Sequence, residues 1–230
     1  MPSASAASSP SWSPSTTRSR SGSTPAYFIR SAAFTLSHGG ESHRIELPLP
    51  GLYNVYNALG AAALCLALDV PLSAVAEGLA DAAPAFGRAE TIDLAGRPTS
   101  ILLVKNPAGA NEVLRTLTLE GRDLDIFGVL NDRTADGRDV SWVWDADWEV
   151  LAPHVRRMTC SGTRAAELAL RMKYAGVDPG RLRVVEGFAA GLDAALADGE
   201  GPLYALPTST ALIELRELLA RRGQAKEYWR

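Results

Sequence analysis

Residues 101–130 read ILLVKNPAGANEVLRTLTLEGRDLDIFGVL and set the pattern for the second half of the chain. The apolar runs at 101–105 and 124–130 are typical of buried strands, and the segment near 110–119 has helical spacing. This alternation predicts an α/β fold with a Rossmann-like, doubly wound parallel sheet. We predict further strands at 157–161, 182–186 and 203–206, and further helices at 164–175, 188–197 and 210–221.

A parallel sheet of this kind places its functional residues on the loops that follow the carboxyl ends of the strands. That rule selects four loops, which are Asn106–Asn111, Asn131–Glu149, Gly162-Thr163 and Pro207–Thr210. We therefore look for the candidate functional residues of the second half of the chain in these loops.

The preceding part of the chain has a different pattern. Alternating stretches at 33–36 and 44–47, joined by Ser37-His38-Gly39-Gly40, predict a β-hairpin. The triplet Phe86-Gly87-Arg88 marks the point at which the pattern changes, and we interpret it as a domain hinge. We therefore expect two structured parts, residues 25–87 and 88–230.

Two helices are predicted after the hairpin, over residues 54–68 and 72–82. Asn54 and Asn57 open the first helix and lie on one face of it, because residues three apart are neighbours on a helix. Each amide has a donor and an acceptor, so the pair can read the edge of a purine ring. The alternative interpretation is that Asn54 only caps the helix. The apolar stripe of this helix is formed by Val55, Leu59, Ala62 and Leu66.

Residues 1–24 contain ten serines, three prolines and no acidic residue. A segment of this composition cannot bury enough apolar area to offset its ordering entropy, so we predict that it is disordered. The composition also resembles an organellar transit peptide, but the segment lacks helical amphipathicity. We expect a non-native leader that arises from a shifted reading frame or a misassigned start.

Composition excludes several classes of function. The net charge of −3 and the pI near 5.7 argue against a nucleic-acid-binding protein, which usually has a basic face. The longest apolar run, residues 58–68, is too short for a membrane-spanning helix of about twenty residues, so we expect a soluble protein with no transmembrane segment.

Cys65 and Cys160 lack metal-ligand spacing and fit a reducing cytoplasm. Cys160 is expected to be a buried strand-end residue, since the first glycine of a nucleophile elbow is missing.

Only three lysines occur in the chain, and none of them follows a glycine: Lys105, Lys173 and Lys226. The phosphate-binding loop GxxxxGK[ST] is therefore absent from these 230 residues, as is the run GxGxxG. The chain does not supply a Walker loop of its own for any nucleotide that it contacts.

Residues 131–149 form the most unusual stretch, NDRTADGRDVSWVWDADWE, which we call the acidic loop. It contains six acidic residues and three tryptophans. The spacing of a calcium-binding loop is not met, because the twelfth residue counted from Asp132 is Val143 rather than glutamate. Solvated acidic surfaces do not normally carry tryptophan. Trp142, Trp144 and Trp148 therefore favour a protein interface or a lined cleft.

Five segments, taken in order, resemble the MurT family, the Mur-ligase-like subunits of lipid II isoglutaminyl synthase. They are GLYNVYNALGAAA (51–63), AFGRAE (85–90), LVKNPAGANEVL (103–114), LNDRTADGRDVSWVWDADWE (130–149) and LYALPTSTALIELR (203–216). The resemblance covers residues 25–230. GLYNVYNAL and GRAE are shared with the wider Mur ligase superfamily, whereas KNPAGANEVL and DGRDVSWVWD are specific to the MurT family.

The resemblance implies a ligase reaction and a partner subunit. Family members use ATP and Mg²⁺ to activate the α-carboxyl of D-glutamate in the lipid II stem peptide. Ammonia, which a GatD-type glutaminase subunit releases from glutamine, then attacks to give D-isoglutamine. An acyl phosphate supplies the leaving group that a carboxylate lacks.

The resemblance also implies a domain arrangement. Residues 25–87 correspond to the last part of an ATP-binding central domain, and residues 88–230 to a Rossmann-like C-terminal domain. The Walker loop and the zinc-ribbon cysteines of the family are not among these residues, so zinc is not supported. We expect an incomplete copy of the family chain that is not active alone.

The matching positions imply roles for individual residues. Asn54 and Asn57 resemble the adenine contacts, and Arg88 resembles the hinge arginine near the nucleotide phosphates. The family brings C-terminal-domain residues into its closed active site at four matching positions, which are Lys105, Asn106, Asn111 and Asp132. No residue is implied as a metal ligand.

Asp139 resembles the carboxylate that the family supplies to the Cys–His pair of its glutaminase partner. A carboxylate in that position orients the imidazole and stabilises its charged form. Asp145 is the second candidate, because counting along the motif does not separate the two. The alternative is that Asp139 only caps the turn after Gly137-Arg138.

Two other functions are alternatives to the interpretation of the chain as MurT-like. One is a non-catalytic module that docks a glutaminase through the tryptophan-rich loop. The other is a different ATP-dependent ligase of the superfamily, such as a folylpolyglutamate or amino-acid-adding enzyme. The second is disfavoured because such enzymes have no need of an acidic, tryptophan-rich docking loop.

Overall fold

The computed structural model describes residues 31–49, 51–82, 88–119, 123–197, 199 and 201–224. These residues divide into two compact units, one within Met1–Pro84 and one within Ala85–Arg230. The predicted leader at 1–24 and residues 86–87 of the predicted hinge lie outside the described residues. In the described ranges, no helix has both the length and the apolar character needed to cross a membrane.

The first unit begins with an antiparallel hairpin of strands β1 (Ala32–His38) and β2 (Glu41–Leu47). Its two-residue turn, Gly39-Gly40, has φ angles of 59° and 88°, which glycine adopts without strain and which a hairpin turn of this length requires. The predicted hairpin is confirmed. Both strands are longer than the alternation indicated, because their polar ends also pair.

Two helices follow the hairpin, α1 (Leu52–Ala67) and α2 (Leu72–Ala80). The first begins earlier than predicted, since Gly51 is its N-cap and the Asn54 N–H donates to the Gly51 carbonyl at 3.1 Å. The capping role considered for Asn54 is therefore wrong, because Asn54 lies inside the first turn. The core between the hairpin and the helices consists of Phe34, Leu36, Ile45, Leu47, Val55, Ala58, Ala62, Leu72 and Val75.

In its described part, the second unit has a six-stranded sheet with the strand order β3-β4-β8-β5-β6-β7. The strands are β3 (Arg88–Leu94), β4 (Arg97–Leu102), β5 (Leu124–Val129), β6 (Val155–Ser161), β7 (Leu182–Val184) and β8 (Leu203–Pro207). All neighbours are parallel except β3, which pairs antiparallel with β4. The Rossmann-like α/β class is confirmed. β3 was not predicted, because it is an edge strand with few strongly apolar residues.

The helices of the second unit lie on both faces of its sheet. Phe127 of β5 packs against Leu192 and Leu215 on one face. The next residue, Gly128, points to the other face, where an added Cβ would lie 2.8 Å from the side chain of Leu168. The helices are α3 (Pro107–Thr118), α4 (Trp142–Asp145), α5 (Ala165–Tyr174), α6 (Phe188–Ala197) and α7 (Ser209–Arg221).

A buried ion cluster closes the amino edge of the sheet. Arg97 donates to the Asp125 carboxylate at 2.7 Å and to the carbonyls of Ala195 and Gly201 at 2.8 and 2.9 Å. Arg156 adds two hydrogen bonds to Asp125, at 3.0 and 2.7 Å. Structural contacts thus occupy this edge, and the loops at the opposite, carboxyl edge are the ones that can form a site.

Candidate functional site

The loops selected from the sequence meet at the carboxyl edge of the parallel strands, and Asn131 joins three of them. Asn131 follows β5 and is 1 % exposed. Its Nδ2 donates to Thr210 Oγ1 at 2.9 Å, and its Oδ1 accepts from the Thr163 N–H at 3.1 Å. Its own N–H donates to Thr208 Oγ1 at 3.1 Å. The loops after β5, β6 and β8 are therefore held together by one buried amide.

Gly162 allows this close approach. Its φ of +94° lies in the left-handed region, and an added Cβ would lie 2.5 Å from the Leu130 carbonyl oxygen and 2.7 Å from Asn131 Oδ1. A side chain at this position would be strained and would also push the two loops apart.

Two carboxylates of the acidic loop reinforce these connections. Asp132 accepts from Thr163 Oγ1 at 2.7 Å and from Arg164 Nε at 2.8 Å. These hydrogen bonds, that of Thr163 first, lower the pKa of Asp132 below its ordinary value. Asp136 accepts from the N–H and the Oγ1 of Thr210 at 2.8 and 2.5 Å. Both carboxylates are engaged in joining loops.

A cleft of about 580 Å³ opens beside this network. Its charged lining consists of two basic and two acidic residues, Arg133, Arg221, Glu214 and Glu217. Arg133 forms an ion pair with Glu214. The cleft has the volume of a small-molecule site but no excess of positive charge with which to hold a triphosphate.

The residues expected in the active-site loop after β4 have different environments. Lys105 is exposed. Asn106 is the N-cap of α3, where its Oδ1 accepts from the Gly109 N–H at 2.8 Å. Asn111 lies inside α3, which begins earlier than the pattern indicated because Pro107 is well suited to a first helical turn. Residues 107–111 are therefore helix rather than loop.

Asn111 contacts the acidic loop through a reciprocal pair of hydrogen bonds. Its Nδ2 donates to Asp147 Oδ2 at 3.0 Å, and its Oδ1 accepts from the Asp147 N–H at 2.8 Å. The structure thus brings Asn111 and the acidic loop together, although they are 36 residues apart in the sequence.

The three tryptophans of the acidic loop differ in exposure. Trp148 is buried, and its indole N–H donates to the Val143 carbonyl at 3.0 Å. Trp142 is half-buried, and Trp144 is 48 % exposed. The prediction that all three line an interface or cleft is therefore wrong for Trp148, whose size and single donor are satisfied in the core.

Arg171 of α5 orders the same loop, and this role was not predicted from the sequence. Its buried guanidinium donates to the carbonyls of Val143 and Ala146 at 3.1 and 2.9 Å, and it forms an ion pair with Glu149 at 2.8 Å. It also lies over the Trp144 ring, with 5.5 Å between the guanidinium carbon and the ring centroid. The only available signal was an arginine on the apolar side of an amphipathic helix.

Asp139 is exposed, and its carboxylate is oriented. Its Oδ1 accepts from the Ser141 N–H at 2.8 Å. The Ser141 hydroxyl, and after it the Ser141 N–H, lower the pKa of Asp139 below its ordinary value, so the group is ionised at neutral pH. Asp145 is exposed at the end of α4, and no hydrogen bond from a described residue holds its carboxylate. The turn-capping interpretation of Asp139 thus explains the hydrogen bond that its Oδ1 accepts from the Ser141 N–H.

The residues expected near a nucleotide belong to other parts of the chain. On α1, Asn54 is half-buried and Asn57 is exposed. Arg88 begins β3, but its side chain lies outside the described residues. The described ranges contain no group of three or more His, Cys, Asp or Glu side chains that could hold a metal. Among the described residues, none of these side chains form the four-ligand set of a zinc ribbon.

Cys160 is not a nucleophile. The residue is buried on β6, and burial raises the pKa of its thiol to about 12, which leaves almost no thiolate at neutral pH. The expectation of a structural strand-end cysteine is confirmed.

Comparison with known proteins identifies the domain that carries these loops. Residues 103–212 match the family model described as MurT ligase C-terminal. This stretch is similar to the MurT ligase C-terminal family. The match includes the acidic loop and the loops after β4, β6 and β8.

Curated relatives extend the MurT similarity beyond that domain. The chain is 32 % identical over 184 residues to the MurT subunit of lipid II isoglutaminyl synthase (glutamine-hydrolyzing) from Streptococcus pneumoniae, which is 80 % of this chain and 41 % of the relative. It is 34 % identical over 180 residues to the Staphylococcus aureus subunit of the same name, 77 % of this chain and 40 % of the relative. The chain thus spans about two fifths of the length of these MurT relatives, and the resemblance to MurT is confirmed.

A solved structure shows the same fold. MurF from Acinetobacter baumannii superimposes with a TM-score of 0.65 at 24 % identity, covering 85 % of this chain and 43 % of the MurF chain. At this level of identity the similarity establishes a Mur ligase-like fold for the MurT-related chain.

Proposed function

We propose that this chain acts as part of a MurT-type subunit of lipid II isoglutaminyl synthase, in complex with a GatD-type glutaminase. The reaction converts the α-carboxyl of D-glutamate in the lipid II stem peptide to D-isoglutamine, with ammonia from glutamine. The names of the relatives from Streptococcus pneumoniae and Staphylococcus aureus support the general role. Free Cys65 and Cys160 agree with a reaction in the reducing cytoplasm.

The observation that carries the proposal is the state of Asp139. Its carboxylate is exposed, ionised and held by Ser141 through one oxygen, on a loop that Arg171 and Asn111 keep ordered. Such a group can orient the imidazole of a partner's Cys–His pair and stabilise the imidazolium that forms when the thiol loses its proton. Burial raises the pKa of the Cys160 thiol to about 12, which agrees with a nucleophile supplied by the partner.

The remaining candidates take supporting roles in this proposal. Asn54 and Asn57 offer amides to an adenine ring, and Arg88 would lie near the phosphates. Lys105 is exposed, which agrees with its proposed role as an active-site residue. The loop-joining residues Asn106, Asn111 and Asp132 would position that site rather than react in it, because their side chains already hold α3 or neighbouring loops.

ATP would supply the phosphoryl group of the activated carboxylate, and these 230 residues contain no GxxxxGK[ST] loop to hold its phosphates. We therefore expect this chain, on its own, to bind Mg-ATP no more tightly than millimolar, since a Walker loop and its lysine supply most phosphate contacts. Titration calorimetry of the isolated chain checks this expectation. A micromolar dissociation constant would contradict it.

The shared-triad role is tested by replacing each candidate carboxylate in the complex with the glutaminase. Asp139→Asn keeps the shape of the side chain and is expected to lower glutamine hydrolysis by about 10⁴-fold, as for a triad aspartate, while the complex still forms. Asp145→Asn is the matched control and should leave hydrolysis unchanged. Full hydrolysis with Asp139→Asn and none with Asp145→Asn would show that Asp145 is the triad member.

A second candidate function is a non-catalytic module that only docks the glutaminase. The absence of the GxxxxGK[ST] loop from these 230 residues favours it. In that case the complex forms, but neither Asp139→Asn nor Asp145→Asn changes the rate of glutamine hydrolysis.

A further inference from the structure

We infer that Ser141 is a positioning residue for the triad that the proposed function divides between this chain and its partner. By holding one oxygen of the Asp139 carboxylate, Ser141 leaves the other oxygen directed to the imidazole of the partner's Cys–His pair. This role rests on the proposed function, because Asp139 has the part stated there. Ser141 is the residue that makes the carboxylate of Asp139, rather than that of Asp145, suited to it.

The two candidate carboxylates differ in how they are held. Asp139 Oδ1 accepts from the Ser141 N–H at 2.8 Å. The Ser141 hydroxyl, and after it this N–H, lower the pKa of Asp139, so both donors favour the ionised carboxylate. Asp145 is also exposed, but no hydrogen bond from a described residue holds its side chain. Among the described contacts, therefore, Asp139 has a fixed carboxylate and Asp145 does not.

The direction of the carboxylate matters for the proposed chemistry. An exposed aspartate that is not held turns between several rotamers, and few of them direct an oxygen at a given ring nitrogen. A triad needs this direction, since its aspartate acts by fixing the tautomer and orientation of the histidine ring. With Oδ1 bound to Ser141, Oδ2 of Asp139 is left to accept from the imidazole N–H.

Ser141 is itself anchored to the core. Its carbonyl accepts from the Trp144 N–H at 2.9 Å, in the turn that begins α4. The carbonyl of Val143, in the same turn, accepts from the buried Arg171 guanidinium at 3.1 Å and from the Trp148 indole N–H at 3.0 Å. These contacts do not involve the Ser141 side chain, so the backbone at this position is held whichever side chain it carries.

Three substitutions of Ser141 remove its two donors in steps. Ser141→Thr keeps the hydroxyl and the N–H, and Ser141→Ala keeps the N–H alone. Ser141→Pro removes both donors, and the φ angle of −59° at this position already matches the ring of proline. Because Ser141 is exposed, none of these changes opens a cavity in the core. Circular dichroism checks that each variant is folded.

The test measures kcat and KM for glutamine hydrolysis by each variant in complex with the GatD-type glutaminase from the same genome. Ser141→Thr is expected to keep the wild-type kcat. Ser141→Ala should lower kcat about tenfold and Ser141→Pro about 100-fold, because a misplacement of about 1 Å can cost 10²-fold in rate. KM should stay within about twofold of the wild type, since the lost contact orients a catalytic group and does not bind glutamine.

Two further measurements complete the experiment. Titration calorimetry gives the dissociation constant of each complex, which should not change. Thr134→Ala is the matched control, because it removes an exposed hydroxyl from the same acidic loop, and it should hydrolyse glutamine like the wild type.

The outcomes separate the role of Ser141 from the proposed function. A fall in kcat in the order of donors lost, with KM and the dissociation constant unchanged, supports the inference. Wild-type rates for Ser141→Ala and Ser141→Pro, where Asp139→Asn still lowers hydrolysis, overturn it and leave the proposed function intact. A wild-type rate for Asp139→Asn as well overturns both. A weaker complex that explains the whole loss of rate makes Ser141 only an interface contact and overturns the inference.

Discussion

The two halves of the acidic loop use the same residue types in opposite ways. In residues 131–136, the carboxylates of Asp132 and Asp136 are engaged by threonine and arginine groups from neighbouring loops. In residues 139–149, the backbone is anchored by Arg171 and Trp148. Two carboxylates of this half, Asp147 and Glu149, bind Asn111 and Arg171, whereas Asp139 and Asp145 are exposed.

The difference shows which acidic residues are available for function. A carboxylate that holds two loops together cannot leave its partners without loosening the fold, whereas an exposed carboxylate on an anchored backbone can meet another molecule. The first half therefore builds the carboxyl edge of the sheet, and the second half leaves Asp139 and Asp145 exposed.

The largest effect on stability is expected from Arg171→Met, which removes the side chain that anchors the second half of the acidic loop. The change leaves the buried carbonyls of Val143 and Ala146 without their donor, at a cost of about 3 kcal/mol in the free energy of unfolding. Urea unfolding monitored by tryptophan fluorescence measures the loss. The exposed Arg115→Met is the control and should change stability by less than about 1 kcal/mol. Similar losses for both arginines would show that the second half is not anchored as described.

Asn131→Ala removes the side-chain contacts that hold the first half of the acidic loop. This variant removes the amide that joins the loops after β5, β6 and β8, and we expect the free energy of unfolding to fall by about 2 kcal/mol. Asp145→Asn, at an exposed position in the second half, should change it by less than about 0.5 kcal/mol. Equal midpoints of urea unfolding for the two variants would contradict this difference between the halves of the acidic loop.

A smaller loss is expected where a predicted site residue proves to be a helix cap. Asn106→Ala removes the hydrogen bond to the Gly109 N–H and should cost about 1 kcal/mol. Lys105→Ala, at the adjacent exposed position, should leave stability within about 0.5 kcal/mol of the wild type. Equal stability of the Asn106 variant and the wild type in urea would argue against the capping role.

The smallest effect is a change in proton affinity at Asp139. Because Ser141 lowers the pKa of this carboxyl, the stabilisation it provides is complete above the ordinary aspartate pKa of about 3.9 and is lost as the pH falls through the folded-state value. Ser141→Ala is expected to raise the pKa of Asp139 towards the ordinary value. Carboxyl ¹³C NMR titration measures this shift, and an unchanged pKa would show that Ser141 does not orient the group.

Most of the fold could be predicted because its signals are local. The strand at β5 and the helix at α6 follow directly from apolar runs and helical spacing, and the predicted bounds of α6 agree with the structure. The edge strand β3 could not be recognised in the same way, since its pairing with β4 involves a hairpin with few large apolar residues.

The site was less predictable because its contacts join distant parts of the sequence. The four loops could be selected from topology, but the hydrogen bond from Asn131 to Thr210 crosses 79 residues. Arg171 and Trp148 were missed or misplaced for the same reason, since only the folded chain shows which carbonyls they meet. The resemblance to MurT was nevertheless recognised from the sequence, because the order of the motifs along the chain is itself the signal.

The central claim is that Asp139 serves the active site of a partner. A structure of the complex with the glutaminase tests it most directly, through the distance between an Asp139 carboxylate oxygen and a ring nitrogen of the partner's catalytic histidine. We expect a hydrogen bond of about 2.6–3.2 Å between these two atoms. An interface that leaves Asp139 in solvent, or that places Asp145 against the histidine, would contradict it.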